Sequence, residues 1–193
     1  MGKRKGELMT LVSGDHSIGP ANGQLTINTY VGGIGAKMGH DLVLEAKRWD
    51  GTATIDATNP AASSVHVRVE VDSLEVLRAT GGLKPLTDHD KADIMQNRDK
   101  TLQAAKYTQI VFDSTAVAVD SSSLSLEGNL TIMGATRPVT LDVAVDDTDG
   151  AIRITGKTRF LQTDFGVKPY SKMGALKVKD EIDMNIVLTL PRA

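Results

Sequence analysis

The residue types that this chain lacks, or has few of, already exclude several classes of function. None of its 193 residues is cysteine, so disulfides, thiolate chemistry and cysteine-ligated metals are excluded. Three Phe, three Tyr and one Trp are too few for the stacking platforms that hold single-stranded nucleic acid. The 22 basic and 24 acidic residues leave a net charge of −2, without the concentrated positive field that phosphate binding requires. We therefore expect no nucleic-acid partner.

Long apolar runs are also missing. No segment approaches the roughly 20 apolar residues of a membrane-spanning helix, so we expect no transmembrane segment. Residues 1–5 are basic, like the start of a signal peptide, but the apolar run at residues 8–12 is shorter than the roughly 7–15 residues of a signal core. We therefore expect a soluble, cytoplasmic protein. The length favours one domain over residues 1–193, with residues 1–21 as an N-terminal extension.

Alternation of apolar and polar residues is abundant. Residues 65–71 are the clearest example, with four valines separated by His66, Arg68 and Glu70. The same period of two recurs in many short segments between turns, which is typical of antiparallel strands with one solvent-exposed and one buried face. About eight to ten strands at this spacing predict an all-β barrel or sandwich.

One segment, residues 87–106, departs from this alternation. It is rich in Asp, Lys, Ala, Gln and Arg, and Thr87 with Asp90 has the spacing of a capping box. Its apolar residues fall near helical spacing and form a narrow face. We predict one surface helix near residues 88–105, interrupted near Asn97, on the barrel wall or over one end.

Catalytic and metal-binding motifs are weak. Residues 33–39 lack the last glycine of a dinucleotide loop and precede a strand, and residues 150–158 resemble a P-loop but read as a strand. The four histidines have no metal-like spacing. His40 and Asp41 are the one pair that could act as acid and base or touch a ligand. We therefore expect no catalytic site and no metal, and leave the role of this pair open.

The segment at residues 128–141 is the most specific. Its sequence, GNLTIMGATRPVTL, predicts two strands around a turn at residues 133–138, and it closely resembles the central hairpin of the YceI-like family of polyisoprenoid-binding barrel proteins. Residues 106–114 and 179–182 resemble two further family segments, and residues 163–167 contain the family's DFGV. Leu161 and Gln162 stand where the family often has Asn-Arg, so any role of that arginine is vacant or reassigned here.

The resemblance implies a lipocalin-like antiparallel barrel of about eight strands with a long apolar cavity. Its implied function is non-catalytic binding, sequestration or transport of an isoprenoid or other long-chain lipid, such as a fatty acid. The implied partner is a lipid or another apolar small molecule, with no other cofactor. A homodimer is compatible with the sequence.

Inward strand positions are the candidate lining of this cavity, and three aromatic residues are candidates for its mouth. The predicted ligand-binding residues are Leu42, Leu44, Val67, Val69, Phe112, Leu130, Ile132, Phe160, Phe165 and Tyr170. The same aliphatic positions would also suit a solid core. Two other functions therefore stay open: an enzyme acting on a hydrophobic substrate through His40 and Asp41, and an interaction module whose barrel is filled by its own side chains.

Overall fold

A computed structural model describes residues 11–120, 123–148 and 150–192, so most of the basic and apolar segments near the N-terminus lie outside the described residues. It contains twelve strands and one α-helix in the described residues, together with four short 3-10 turns. In chain order these elements are β1 (Gly14–Ile18), β2 (Gly23–Gly32), β3 (His40–Ala46), β4 (Trp49–Ile55), β5 (Ser64–Glu70), β6 (Leu74–Gly81), α1 (Asp88–Thr101), β7 (Gln109–Val119), β8 (Leu124–Ile132), β9 (Ala135–Thr148), β10 (Ala151–Leu161), β11 (Ser171–Lys172) and β12 (Leu176–Pro191).

The strands form one antiparallel sheet that closes on itself. Its hydrogen-bonded order is β1-β4-β5-β7-β8-β9-β10-β12-β2-β3-β6. The two ends of the sheet meet because two long strands bend: β3 continues into β4, and β5 continues into β6. Near one end of the order β4 pairs with β5, and at the other end β3 pairs with β6. At the bend the Lys47 amide donates to the Ser73 carbonyl and the Glu70 amide donates to the Arg48 carbonyl, each at 3.0 Å. Strands β1 and β2 follow the bent strand β3–β4 along one side, because β1 pairs with β4 and β2 pairs with β3.

Counting β1–β2, β3–β4 and β5–β6 as one strand each, together with β7, β8, β9, β10 and β12, gives eight barrel strands, and β11 is a short addition on β12. The predicted all-β, lipocalin-like barrel of about eight strands is therefore confirmed. Closure leaves only β1, β6 and the short β11 with a single partner strand among the described residues, which limits the unpaired edges that would expose backbone groups for aggregation.

The hairpin of β8 and β9 has the predicted strands but a shorter turn. On β8 the residues at 124, 126, 128, 130 and 132 are buried and alternate with more exposed neighbours. Ile132 pairs with Ala135, so the turn is the two residues Met133 and Gly134, both with positive φ. Such two-residue turns match the twist of antiparallel strands. The predicted six-residue turn was wrong, since Pro138 already lies within β9.

Helix α1 confirms the predicted surface helix and its capping box. The Asp90 amide donates to the Thr87 hydroxyl oxygen at 3.2 Å, and the Thr87 amide donates to the Asp90 carboxylate at 2.8 Å. The Thr87 hydrogen bonds also lower the pKa of Asp90. The helix ends at Thr101 rather than near residue 105 and is not interrupted at Asn97. The side chains of Ile94 and Arg98, with Leu102 just after the helix, lie over one end of the barrel interior.

Candidate functional site

The barrel interior contains an apolar cavity at the end away from the helix. Its volume is about 130 Å³, and aliphatic side chains from nearly every strand form its wall. Four predicted ligand-binding residues line it, from three adjacent strands: Val67, Val69, Phe112 and Leu130. The strand register places Val67, Phe112 and Leu130 side by side across β5, β7 and β8, because each is the partner of the next.

A second cavity lies under the helix. Its volume is about 190 Å³, and five predicted residues line it: Leu42, Leu44, Ile132, Phe160 and Tyr170. Its wall also carries five polar side chains, which are Thr29, Asn97, Arg98, Thr101 and Gln162, whereas the first cavity has three, Asp56, Ser63 and Ser125.

The two cavities lie one above the other along the barrel axis. On β8, Leu130 lines the first and Ile132 the second, and on β12, Met184 lines the first and Ile182 the second. Inward neighbours on one strand are about 7 Å apart, so the cavities are adjacent. Ile110 lies on the wall of both and marks the junction between them.

A mouth connects the second cavity to the surface. This outer space of about 500 Å³ lies between the first half of α1, the loop at residues 82–86 and the β11–β12 hairpin. Six residues line both it and the second cavity: Thr29, Leu42, Ile94, Asn97, Tyr170 and Val178. The outer space and the second cavity therefore adjoin each other between the helix and the hairpin.

Arg98 is a buried cation at the helix end of the interior. Its side chain is 8% exposed, and its guanidinium donates to the Leu74 carbonyl and, at 2.7 Å, to the Asp99 carboxylate. We did not predict this residue from the sequence. The signal was present: Arg98 lies four residues after Ile94 and four before Leu102, inside the apolar stripe of the helix.

Gln162 is the second buried polar group at this end. Its side-chain amide donates to the Lys179 carbonyl at 2.7 Å, and the residue begins a 3-10 turn over Gln162–Phe165. Its neighbour Leu161 is exposed. Of the two residues that stand where the family often has Asn-Arg, Gln162 therefore lines the second cavity and Leu161 lies outside.

Phe165 does not lie on the wall of either cavity. It is buried behind Phe160, with the two rings edge to face and their centroids 5.3 Å apart. Gly166 then takes the left-handed conformation that ends the turn, at φ 75°. Phe165 therefore packs behind the cavity wall rather than on it, and its contact with a ligand stays a prediction.

His40 and Asp41 are not arranged as an acid–base pair. The Nε2 atom of His40 lies 2.8 Å from the Lys84 carbonyl oxygen, and the Asp41 carboxylate accepts the Val31 amide at 2.7 Å. Both side chains thus hold backbone around the mouth. Elsewhere in residues 11–120, 123–148 and 150–192, no three His, Asp or Glu side chains are grouped so as to hold a metal ion.

A cluster on the outer face ties β10, β12 and β2 together around the second cavity. Arg159 donates to both carboxylate oxygens of Asp183 at 2.5 and 2.8 Å, and the Tyr30 hydroxyl donates to the same carboxylate at 2.5 Å. The Arg159 hydrogen bond lowers the pKa of Asp183, and the hydrogen bond to Asp183 raises the pKa of Tyr30.

Among the described residues, no helix combines the length and the apolar character needed to cross a membrane.

Comparison with known proteins identifies relatives by sequence. A YceI-like domain model matches residues 17–190. The UPF0312 protein Ent638_1570 of Enterobacter sp. is 35% identical over 132 residues, which cover 62% of this chain and 63% of that protein. Protein YceI of Escherichia coli O6:H1 is 34% identical over 128 residues, which cover 63% of this chain and 61% of that protein. The chain thus matches about three fifths of the length of these relatives.

Solved structures share the fold. Burkholderia cenocepacia BcnA superposes with a TM-score of 0.65 at 19% identity, covering 86% of this chain and 95% of that one. The Campylobacter jejuni YCEI protein superposes with a TM-score of 0.55 at 17% identity, covering 76% of this chain and 82% of that one. The sequence match across residues 17–190 and this shared barrel lead to one conclusion: the chain belongs to the YceI-like family.

Proposed function

We propose that this protein binds a long-chain amphiphile, an isoprenoid or another long-chain lipid, inside its barrel, and that it sequesters or carries this molecule without catalysis. The observation that carries the proposal is the pair of stacked apolar cavities that meet at Ile110 and lead to a mouth beside α1. Family membership supports a binding protein of the barrel type.

The interior volume favours a guest over a filled core. Unfilled space in a protein core costs about 24 cal/mol per Å³, so cavities of 130 and 190 Å³ would cost about 3 and 5 kcal/mol. An apolar guest would recover this free energy by restoring contacts to the wall. For comparison, an engineered apolar cavity of about 150 Å³ binds benzene.

A hydrocarbon chain is the guest that the wall suits. Aliphatic side chains such as Val67, Leu130 and Leu141 can only offer dispersion contacts and exclusion of water. Each buried methylene contributes about 0.8 kcal/mol, so a chain that occupies both cavities gains several kcal/mol over one that occupies a single cavity. Affinity should therefore rise with chain length until the interior is full.

The polar groups that face the interior differ between its two ends, and this gives the guest an orientation. At the far cavity Asp56 and Ser63 already accept local backbone amides, whereas Arg98, Asn97 and Gln162 line the helix end. A polar group buried without a partner costs about 1–3 kcal/mol, so the head of an amphiphile belongs beside these side chains. Its tail then extends past Ile110 towards Phe112.

The alternative of an enzyme that uses His40 and Asp41 has no support in their geometry, because backbone groups occupy both side chains. Cytoplasmic residence and a homodimer stay predictions from the sequence.

Ligand uptake by delipidated protein tests the proposal. Displacement of an apolar fluorescent dye by fatty acids and prenyl alcohols of increasing length should show rising affinity that reaches a plateau. In Ala53→Phe the new ring occupies the far cavity and should weaken long ligands, whereas Thr52→Phe adds the same ring on the exposed face and should not. No uptake by the unmodified protein, or equal effects of the two variants, would refute the proposed site.

A further inference from the structure

Exposed apolar side chains are concentrated around the mouth of the barrel. Among the described residues, the four most exposed large apolar side chains are Ile34 at 100%, Met173 at 96%, Leu83 at 76% and Met38 at 62%. The next is Leu77 at 49%. Met38 and Leu83 line the mouth directly.

One backbone hydrogen bond and one side-chain contact hold the segments that carry these four side chains together. The Gly35 amide donates to the Ala175 carbonyl at 3.0 Å, which joins the loop of Ile34 to the hairpin of Met173. The contact of His40 with the Lys84 carbonyl joins the loop of Leu83 to the start of β3. We call this set of three neighbouring segments, residues 33–38, 82–86 and 171–175, the rim.

Each segment of the rim pairs an exposed apolar side chain with a lysine next to it in sequence. The three pairs are Lys37-Met38, Leu83-Lys84 and Lys172-Met173. None of these lysines makes an ion pair within the described part of the chain. Two acids of α1, Asp90 and Asp93, also line the mouth, but the three lysines Lys84, Lys172 and Lys177 outnumber them there.

We infer that the rim docks on an anionic lipid surface, with the apolar tips in the headgroup region and the lysines at the phosphates. Apolar side chains beside basic ones are the combination by which proteins lie on membrane interfaces. Each lysine at an anionic surface contributes about fivefold in affinity. This docking goes beyond the ligand binding proposed above, and it would place the mouth against the bilayer, from which an apolar guest can enter without crossing water.

A second copy of this chain is a poorer occupant of the rim. Two rims in contact would bring like-charged lysines together, which opposes association. An anionic bilayer instead offers a complementary charge and an apolar layer at the depth that the tips reach.

Vesicle flotation tests the docking. We expect binding to vesicles that mix phosphatidylcholine with phosphatidylglycerol, little binding to phosphatidylcholine alone, and weakening by salt. Replacing the three rim lysines by glutamine (K37Q, K84Q, K172Q) should weaken binding on the order of a hundredfold. The double variant of Ile34→Ser and Met173→Ser should reduce it strongly. Val119→Ser, a partly exposed apolar residue at the other end of the barrel, should have no effect.

Separate outcomes decide this inference and the proposed function. Absence of vesicle binding, binding that does not depend on phosphatidylglycerol, or equal losses in Val119→Ser and the rim variants would overturn the docking. Self-association that the Ile34 and Met173 substitutions abolish would assign the rim to a second copy instead. Dye displacement without vesicles reports only the cavity, and the double variant at Ile34 and Met173 should leave it unchanged.

Discussion

The junction between the two cavities is a point at which one substitution should separate long ligands from short ones. Ile110 is buried and lies on both cavity walls. In Ile110→Trp the indole fills the passage and confines a long chain to one cavity. If confinement removes five methylenes from the apolar interior, at about 0.8 kcal/mol each, the loss is about 4 kcal/mol, or close to a thousandfold in Kd. A short ligand that fits one cavity should keep its affinity.

Calorimetric titration with fatty alcohols of increasing length measures this effect. The matched control is Gln109→Trp, which adds the same indole to the outer face of β7. Because a larger core side chain can cost about 1–3 kcal/mol of stability, circular dichroism must first show that Ile110→Trp is folded, and Ile110→Phe provides a milder blockage. Equal losses for short and long ligands, or no loss for either, would refute the continuous passage.

Three further substitutions test other parts of the account. Arg98→Met removes the buried guanidinium but keeps its apolar stem, so titration should show about tenfold weaker binding of ligands with a polar head and unchanged binding of a plain hydrocarbon. Gly128→Ala forces a methyl group against the Phe112 ring, so urea denaturation should show a loss of about 1–3 kcal/mol in the free energy of unfolding. The Arg159 hydrogen bond lowers the pKa of Asp183. The ionised Asp183 carboxylate therefore stabilises the fold fully above about pH 4, and this stabilisation is lost as pH falls through the lowered pKa. Asp183→Asn should be less stable at neutral pH and should lack this acid-dependent loss.

Each of these results has a contrary outcome. If Arg98→Met weakens both ligand classes equally, the guanidinium serves only to anchor α1. If Asn129→Ala, on the outer face of β8, destabilises the protein as much as Gly128→Ala, close packing at Phe112 is not the cause. If the pH dependence of unfolding is the same with and without Asp183, its carboxylate is not responsible for the acid-dependent loss.

Local structure was predictable where one segment carried its own signal. The hairpin of β8 and β9 follows from strict alternation, and the helix start follows from Thr87 and Asp90. The turn length was not predictable from composition, because Thr136, Arg137 and Pro138 look like turn residues yet lie in β9 and pair with β8. Cross-strand pairing overrides such local preference.

Barrel closure depends on contacts between distant segments, which alternation cannot reveal. The bends at residues 47–48 and 71–73 let β3–β4 and β5–β6 serve both ends of the sheet, and Ser73 fixes one bend by donating to the Arg48 and Glu70 carbonyls at 3.0 and 2.7 Å. A short polar residue between two strand segments gives no indication of that role in the sequence.

The site was predictable as a set of inward positions but not as a set of cavities. Nine of the ten predicted residues line the two interior spaces. Eight of them lie in strands, where a period of two determines which side chains point inward, whereas Tyr170 lies just before β11. Phe165 does not line either space, because it belongs to a 3-10 turn, where a period of two does not apply. Arg98 was missed because a lone charge in a narrow apolar stripe looks like an ordinary surface residue.

Native mass spectrometry of the purified protein tests most directly whether the barrel holds a long apolar guest. We expect a population heavier than the bare chain, from which organic solvent releases a long-chain lipid, and reloading of the stripped protein by prenyl alcohols or fatty acids. A single mass equal to that of the chain, with no mass gain after incubation with either lipid class, would contradict it.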